Sequence, residues 1–180
     1  MRITISGKAG SGKSTIAKLL SERLSLRHYS IGDLMRSMAV ERGQSLLELN
    51  NLAEKDTSID FKLDNTLKNL GNSKDNFVVD GRLSAFFIPH AGFRIFLVAD
   101  ERIRAQRILK DKRQHEKSDN LEETIKNMGK REASEKKRYK KYYNVDYTNK
   151  ELYDFVIDTS KLSVNEVVER IVGFIQRKKS

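Results

Sequence analysis

Nine consecutive residues, Gly7-Lys8-Ala9-Gly10-Ser11-Gly12-Lys13-Ser14-Thr15, have the types and spacing that main-chain recognition of phosphate requires. They fill every fixed position of the template G-x-x-x-x-G-K-[ST]. The glycines let the backbone take positive φ angles, so that successive N–H groups converge on phosphate oxygens. Lys13 is a compact cation on a long stem, placed to reach the β- and γ-phosphates of a nucleoside triphosphate. The Ser14 hydroxyl is a hard oxygen suited to the accompanying Mg²⁺. All nine residues are therefore candidates for binding ATP with its Mg²⁺. A further cation, Arg36, follows the second apolar run, and Arg82 follows the third in Asp80-Gly81-Arg82. Two arginines at the carboxyl ends of neighbouring parallel strands would face the same crevice as the phosphate loop, where they could clamp a second phosphate bidentately. For either arginine alone, a surface ion pair would be the plainer reading. Arg131 and Arg138 stand seven residues apart, hence on one face of a helix two turns along, and with Arg107 and Arg113 nearby they suggest an electropositive lid. Most of the surrounding lysines read as a solvated helix face.

These groups need elements to carry them. Ile3, Thr4 and Ile5 form a β-type run before the glycines, and Ile16, Leu19, Leu20 and Leu24 recur at helical spacing after them, the strand–loop–helix context the motif demands. A second short strand is predicted at 27–30, and a helix opens near Asp33 with a stop at Gly43. Ser45 with Glu48 forms a capping box. Thr57 with Asp60 repeats that spacing, and the helix it opens ends at Gly71. Residues 31–72 thus read as a small helical insertion. A turn cluster at 72–76 precedes a third strand, 77–80, and the apolar density of 94–99 predicts a strand buried on both faces. A charged helix follows over about 101–112. Between Lys126 and Lys141 there are eight Lys/Arg against two Glu, marking 113–150 as the basic part of the chain. A fifth strand at 155–157 leads to a final capping box, Ser163 with Glu166, and an apolar stripe at 3.6-residue spacing. Strands alternating with helices predict an α/β fold with a parallel sheet and right-handed crossovers.

The chain has 180 residues, enough for one domain with a substantial core. No apolar run approaches the roughly 20 residues that span a bilayer, and the opening strand leaves no room for a secretory signal. With no cysteine, disulfides and thiolate chemistry are excluded, and a cytoplasmic location is expected. His28, His90 and His115 are too dispersed for a metal cluster and read as structural. The net charge of +10 calls for an anionic partner: nucleotide, nucleic acid or membrane surface.

The combination resembles the nucleoside monophosphate kinase family, and within it the archaeal-type cytidylate kinases, over essentially the whole chain. The resemblance rests on Gly7 to Thr15, on Ser30-Ile31-Gly32-Asp33-Leu34-Met35-Arg36, and on Val79-Asp80-Gly81-Arg82-Leu83. It continues in Arg131-Glu132-Ala133-Ser134, Lys137-Arg138-Tyr139, Tyr142-Tyr143 and Ile157-Asp158-Thr159-Ser160. It implies a P-loop NTPase fold with a five-stranded parallel sheet flanked by helices. The core would be 1–30, 73–112 and 151–180, with an acceptor-binding region at 31–72 and a lid at 113–150. It implies phosphorylation of CMP or dCMP by ATP, with Lys13, Arg82, Arg131 and Arg138 catalytic. Gly32, Asp33, Arg36, Asp80, Gly81 and Arg82 would bind the acceptor, and Ser14 and Asp80 would serve the metal. The expected protein is monomeric, with neither a membrane nor a specific nucleic acid as partner. The chain departs from many archaeal members in having Lys8-Ala9 where Pro-Pro is common, and Asp80 where Glu is common. No residue reads cytosine unambiguously; Ser84, Asp60 and Asp64 are candidates.

Other readings compete. A GTPase would use Asn-Lys-x-Asp to read guanine, whereas Asn149-Lys150-Glu151-Leu152 places Leu at the base-reading carboxylate. A nucleic-acid-binding ATPase would use Tyr139, Tyr142, Tyr143 and Tyr147, interleaved with basic residues, as stacking surfaces. An adenylate kinase shares the overall pattern, and a hydroxyl-phosphorylating kinase would need a carboxylate base, for which Asp33 is the best candidate.

Overall fold

In a computed structural model, which describes residues 1–73, 75–111, 118 and 120–179, the expected alternation of strands and helices is present. The chain runs β1 (Arg2–Gly7), α1 (Lys13–Arg23), β2 (Arg27–Ser30), α2 (Ile31–Glu41), α3 (Leu46–Leu52), α4 (Thr57–Asn72), β3 (Phe77–Asp80), α5 (Ser84–Phe87), β4 (Phe93–Val98), α6 (Glu101–Lys110), α7 (Leu121–Tyr143), β5 (Phe155–Asp158) and α8 (Val164–Lys179). Lys74 of the turn cluster, Lys112 at the expected end of the charged helix, Arg113 of the expected lid and His115 lie outside the described residues. The five strands are all parallel, in the order β2-β3-β1-β4-β5.

The register does most of the work of assembling a site. Asp80 pairs with Ile5 on one side and Ser30 on the other, so the ends of β1, β2 and β3 are level. The phosphate loop, the start of α2 and the turn after β3 therefore emerge side by side. β1, β3 and β4 are buried nearly throughout, as their apolar runs predict. One core, centred on Ile3, Ile5, Leu20, Ile95, Leu97 and Ile171, packs α1 and α8 on one face of the sheet. A second, including Phe77, Val79, Phe96, Tyr139, Tyr147 and Tyr153, covers the other face.

A third core belongs to the insertion. Met35, Met38, Leu46, Leu49, Ile59 and Leu63 bring α2, α3 and α4 together on their own apolar faces. Each such buried side chain contributes about 1.5–3 kcal/mol, so these helices hold together as a unit beside the sheet. Local signals place their ends. Ser45 and Glu48 form the capping box, and Gly43, at φ 62, ends the preceding turn. The cap of α4 differs from expectation by one residue. Asp56, not Thr57, accepts from Ser58 N, and Asp60 faces inward. Ser163 and Glu166 bond reciprocally before α8. Among the described residues, no helix is long and apolar enough to cross a membrane.

Candidate active site

The phosphate loop turns through Gly10 (φ 74) and Gly12 (φ 92), conformations that side chains rarely adopt. At Gly10 a Cβ would also meet the Arg104 carbonyl oxygen at 2.4 Å. Gly12 is the N-cap of α1, and among the described residues no side chain caps the first N–H groups there. A helix start with open amides and a positive dipole end is an anion site in waiting. Lys13 is buried beside it, and its Nζ donates to the Lys8 carbonyl at 2.8 Å. Burial, and then the nearby Arg82 guanidinium, hold its ammonium well below the usual lysine range. A phosphate beside Lys13 would reverse that, since an anion favours the charged form.

Beside the loop, Asp80 ends β3 almost wholly buried. Its Oδ2 accepts from Ser14 Oγ at 2.9 Å and from Ser30 Oγ at 3.3 Å, while His28 Nε2 lies 2.8 Å from Oδ1. A hydroxyl and a carboxylate touching each other at a phosphate loop form a hard-oxygen pair that fits Mg²⁺. No group of three or more His, Cys, Asp or Glu among the described residues could hold a metal alone. An ion held by Ser14 and Asp80 would share its coordination with phosphate and water.

Arg82, in the turn after β3, and Arg131, on α7, meet at a residue the sequence reading passed over. Glu135 Oε2 accepts from Arg82 Nε at 2.6 Å, and Oε1 accepts from Arg131 Nε at 3.0 Å. The Glu135 side chain is 2% exposed. Burial alone would raise its pKa, but the Arg82, Arg131 and Arg138 charges and the Arg82 hydrogen bond together outweigh burial and hold it below the ordinary glutamate value. Burial likewise opposes the Arg82 charge, and Glu135, with Tyr147 and Tyr139, more than offsets it. Arg82 Nη2 is buried and has no partner among the described residues. A buried donor left unpaired costs about 1–3 kcal/mol, and such orphans are found where a ligand completes them.

One cavity of about 500 Å³ joins these parts. Its wall includes the loop from Ala9 to Thr15 together with Gly32, Arg36, Asp80, Gly81, Arg82 and Arg131. Arg36 and Arg82 thus share a cavity with Gly12 and Lys13. Four expected site residues are not on that wall. Gly7 and Lys8 lie behind it, with Lys8 Nζ paired to Glu132 at 2.9 Å. Asp33 sits outside, ion-paired with Arg36 one helical turn on. Arg138 is the clearest departure from the expected lid pair. Arg131 and Arg138 do share a helix face, but seven residues is about 10.5 Å along the axis. At that distance α7 has crossed onto α3 and α4. Arg138 there donates to Asp60 Oδ2 at 2.8 Å, to the Asn50 carbonyl at 3.0 Å and to Ser134 Oγ at 2.9 Å. In this structure it clamps α7 to α3 and α4. The tyrosine array is also absent as a stacking surface: Tyr139 and Tyr147 are core residues, and Tyr143 donates to Asp64.

The sequence matches the cytidylate kinase-like family over residues 2–161. It is 38% identical to the cytidylate kinase of Methanosphaera stadtmanae, across 99% of this chain and 100% of that protein. It is 42% identical to that of Natronomonas pharaonis, across 96% and 90%. The chain belongs to the cytidylate kinase-like family. Its fold is that of P-loop kinases at large: shikimate kinase from Acinetobacter baumannii superposes with a TM-score of 0.63 at 18% identity, covering 99% of this chain and 94% of that one.

Two further features complete this cytidylate kinase-like site. At the end of the cavity beyond the loop, Arg107 donates to the Thr159 hydroxyl at 2.9 Å and to its carbonyl at 2.6 Å, forming a polar edge beside Leu162 and Val164. At the opposite end, the wall is apolar through Ile31, Met35, Leu63 and Leu67, with Asp60 and Asp64 set into it. Burial raises the Asp64 carboxyl to about 6, against the Tyr143 hydrogen bond that lowers it. Burial also raises Asp60, against Arg138. Ser84 is fully buried, with no hydrogen-bond partner for its hydroxyl among the described residues, and is not on the wall.

Proposed function

We infer that the protein transfers the γ-phosphoryl group of ATP to the phosphate of CMP or dCMP, reversibly. The observation that carries this is the single cavity with the phosphate loop at its centre and Arg36, Arg82 and Arg131 on the wall beyond. ATP would lie with its triphosphate along Gly10 to Thr15 and its base towards Arg107 and Thr159. CMP would lie with its phosphate at Arg36 and Arg82 and its base between Met35, Leu63 and Leu67. Asp64 is the group we place against the cytosine. As a carboxylate it accepts from the exocyclic amine, and it would repel the carbonyl that uracil carries there.

An acceptor phosphate oxygen forms the new bond to the γ-phosphorus as the bond to the β–γ bridging oxygen breaks, leaving CDP and ADP. That oxygen is already anionic, so no general base is required. Asp33, the candidate base for a hydroxyl acceptor, lies off the cavity wall, which favours the phosphate-acceptor reading. Lys13, the loop amides and the arginines bring two anions together and neutralise charge in transit. Ser14 and Asp80 would hold Mg²⁺, which when bound neutralises charge on the β- and γ-phosphate oxygens. We assign residues 31–72 to acceptor binding and 113–150 to a lid that limits access of water. We take the enzyme to act as a monomer in the cytoplasm.

The test is incubation with ATP, Mg²⁺ and a panel of monophosphates, reading diphosphate formation. CDP from CMP and dCDP from dCMP should outpace ADP from AMP and UDP from UMP by at least tenfold. A preference for AMP, or release of inorganic phosphate alone, would overturn the assignment.

A further inference from the structure

We propose that Glu135 is a positioning residue that sets Arg82 and Arg131 in register for the transferring phosphoryl group; the proposal rests on the kinase reading above. Arg82 hangs from the turn after β3, and Arg131 from a helix that crosses the sheet from the other side. Nothing local fixes one relative to the other. Two guanidinium groups beside Lys13 would repel each other in a ligand-free cavity. Glu135 meets both demands with one carboxylate, one oxygen to each Nε.

The choice of edge matters. A guanidinium group presents five N–H donors in a fixed fork, and the pair of terminal nitrogens forms one bidentate face. By accepting at Nε, Glu135 engages the side of the fork and leaves the end of Arg82 to a phosphate. Arg82 Nη2, buried without a partner, is what such an arrangement leaves behind. Glu135 is itself fixed. It lies one turn after Arg131 on α7, and Arg138, one turn after Ser134, anchors that helix to Asp60 and Asn50. The Glu132 carboxylate ties the same helix to Arg104 and to Lys8 of the phosphate loop. Glu135 thus relates the acceptor arginine, the lid arginine and the loop in one frame. The sequence could not show this, because Arg82 and Glu135 are separated by 53 positions.

A residue that merely stabilises the fold would lower the amount of folded enzyme, whereas a positioning residue lowers the rate of enzyme that is folded. Glu135→Gln keeps the shape but turns one N–H₂ towards a guanidinium group. With folding verified by circular dichroism, kcat should fall about 100-fold while KM for MgATP stays within about threefold of wild type. Because Arg131 is only one of the two arginines through which Glu135 acts, Glu135→Gln added to Arg131→Gln should cost about tenfold or less rather than about a further 100-fold. A Glu135→Gln enzyme with kcat within threefold of wild type would overturn the proposal, as would losses that multiply in the double variant. Should Glu135→Gln fail to fold, Glu135→Asp, whose carboxylate is one methylene short, is read by the same kcat and KM criteria. Wild type is assayed first on CMP: no CDP from wild type would sink the kinase reading itself, an outcome distinct from failure of the Glu135 variants.

Discussion

The two halves of the cavity, proposed above for the donor and the acceptor, are built by different means. The donor half is made of main chain: glycine dihedrals, uncapped amides and one lysine, all within Gly7–Thr15. The acceptor half is made of side chains from three places: Arg36 on α2, Arg82 after β3, and Arg131 with Glu135 on α7. A main-chain site is rigid and depends on a few dihedrals. A side-chain site depends on the packing that brings its elements together, so it can be broken from a distance.

The largest expected effect lies in the donor half. Lys13→Met should lower kcat by about 10³-fold in the CMP assay with a melting curve little changed, because the lost hydrogen bond to the Lys8 carbonyl is offset by removal of a desolvated charge. A loss under tenfold would mean that the loop amides suffice without Lys13.

The next effect belongs to the acceptor half and is one of stability. Arg138→Met leaves Asp60 buried without its partner and should destabilise the fold by about 3–5 kcal/mol in urea titration. Folded enzyme should retain kcat within about fivefold. The opposite result, intact stability with collapsed kcat, would restore Arg138 to the role over the phosphoryl group that the family resemblance suggests.

That contrast explains what could be read from the sequence and what could not. The loop is written in adjacent residues, and a strand before it and a helix after it suffice to recognise it. Asp80 and Arg82 were legible because a parallel sheet sends its strand ends to one side. Glu135 looked like one acid in a basic helix, and His28 like a structural histidine, although it lies against Asp80. Their partners are 53 and 52 positions away, and no periodicity encodes such pairs. Arg138 is on the predicted face, but helix spacing gives a direction and not what lies opposite, which is Asp60. The tyrosines were interleaved with lysines in sequence, yet the helix turns Tyr139 into the core and leaves the lysines outside.

Gly10→Ala tests the rigidity of the main-chain half. The left-handed φ and the approach to the Arg104 carbonyl should together cost about 1–3 kcal/mol of stability, and ATP affinity should fall at least tenfold. Unchanged ATP binding would show that the loop adapts.

The smallest effect concerns pH. In the folded chain Asp64 holds its proton up to about 6, whereas the unfolded chain releases it near 3.8. Its contribution to stability is therefore complete below about pH 4 and is lost as the pH rises through about 6. Asp64→Asn should flatten that part of the stability profile. In wild type, KM for CMP should rise as the pH falls below about 6, because a protonated Asp64 presents fewer acceptor sites to the cytosine amine. A KM for CMP that does not vary between pH 5 and 7 (the window set by this shift) would remove Asp64 from the base site.

Titration calorimetry of Arg82→Ala with each nucleotide separately tests the division into two phosphate sites most directly. ATP with Mg²⁺ should bind within about threefold of wild type, while CMP affinity falls by about 100-fold or more. Loss of ATP binding with CMP binding intact would place Arg82 in the donor half and contradict the account.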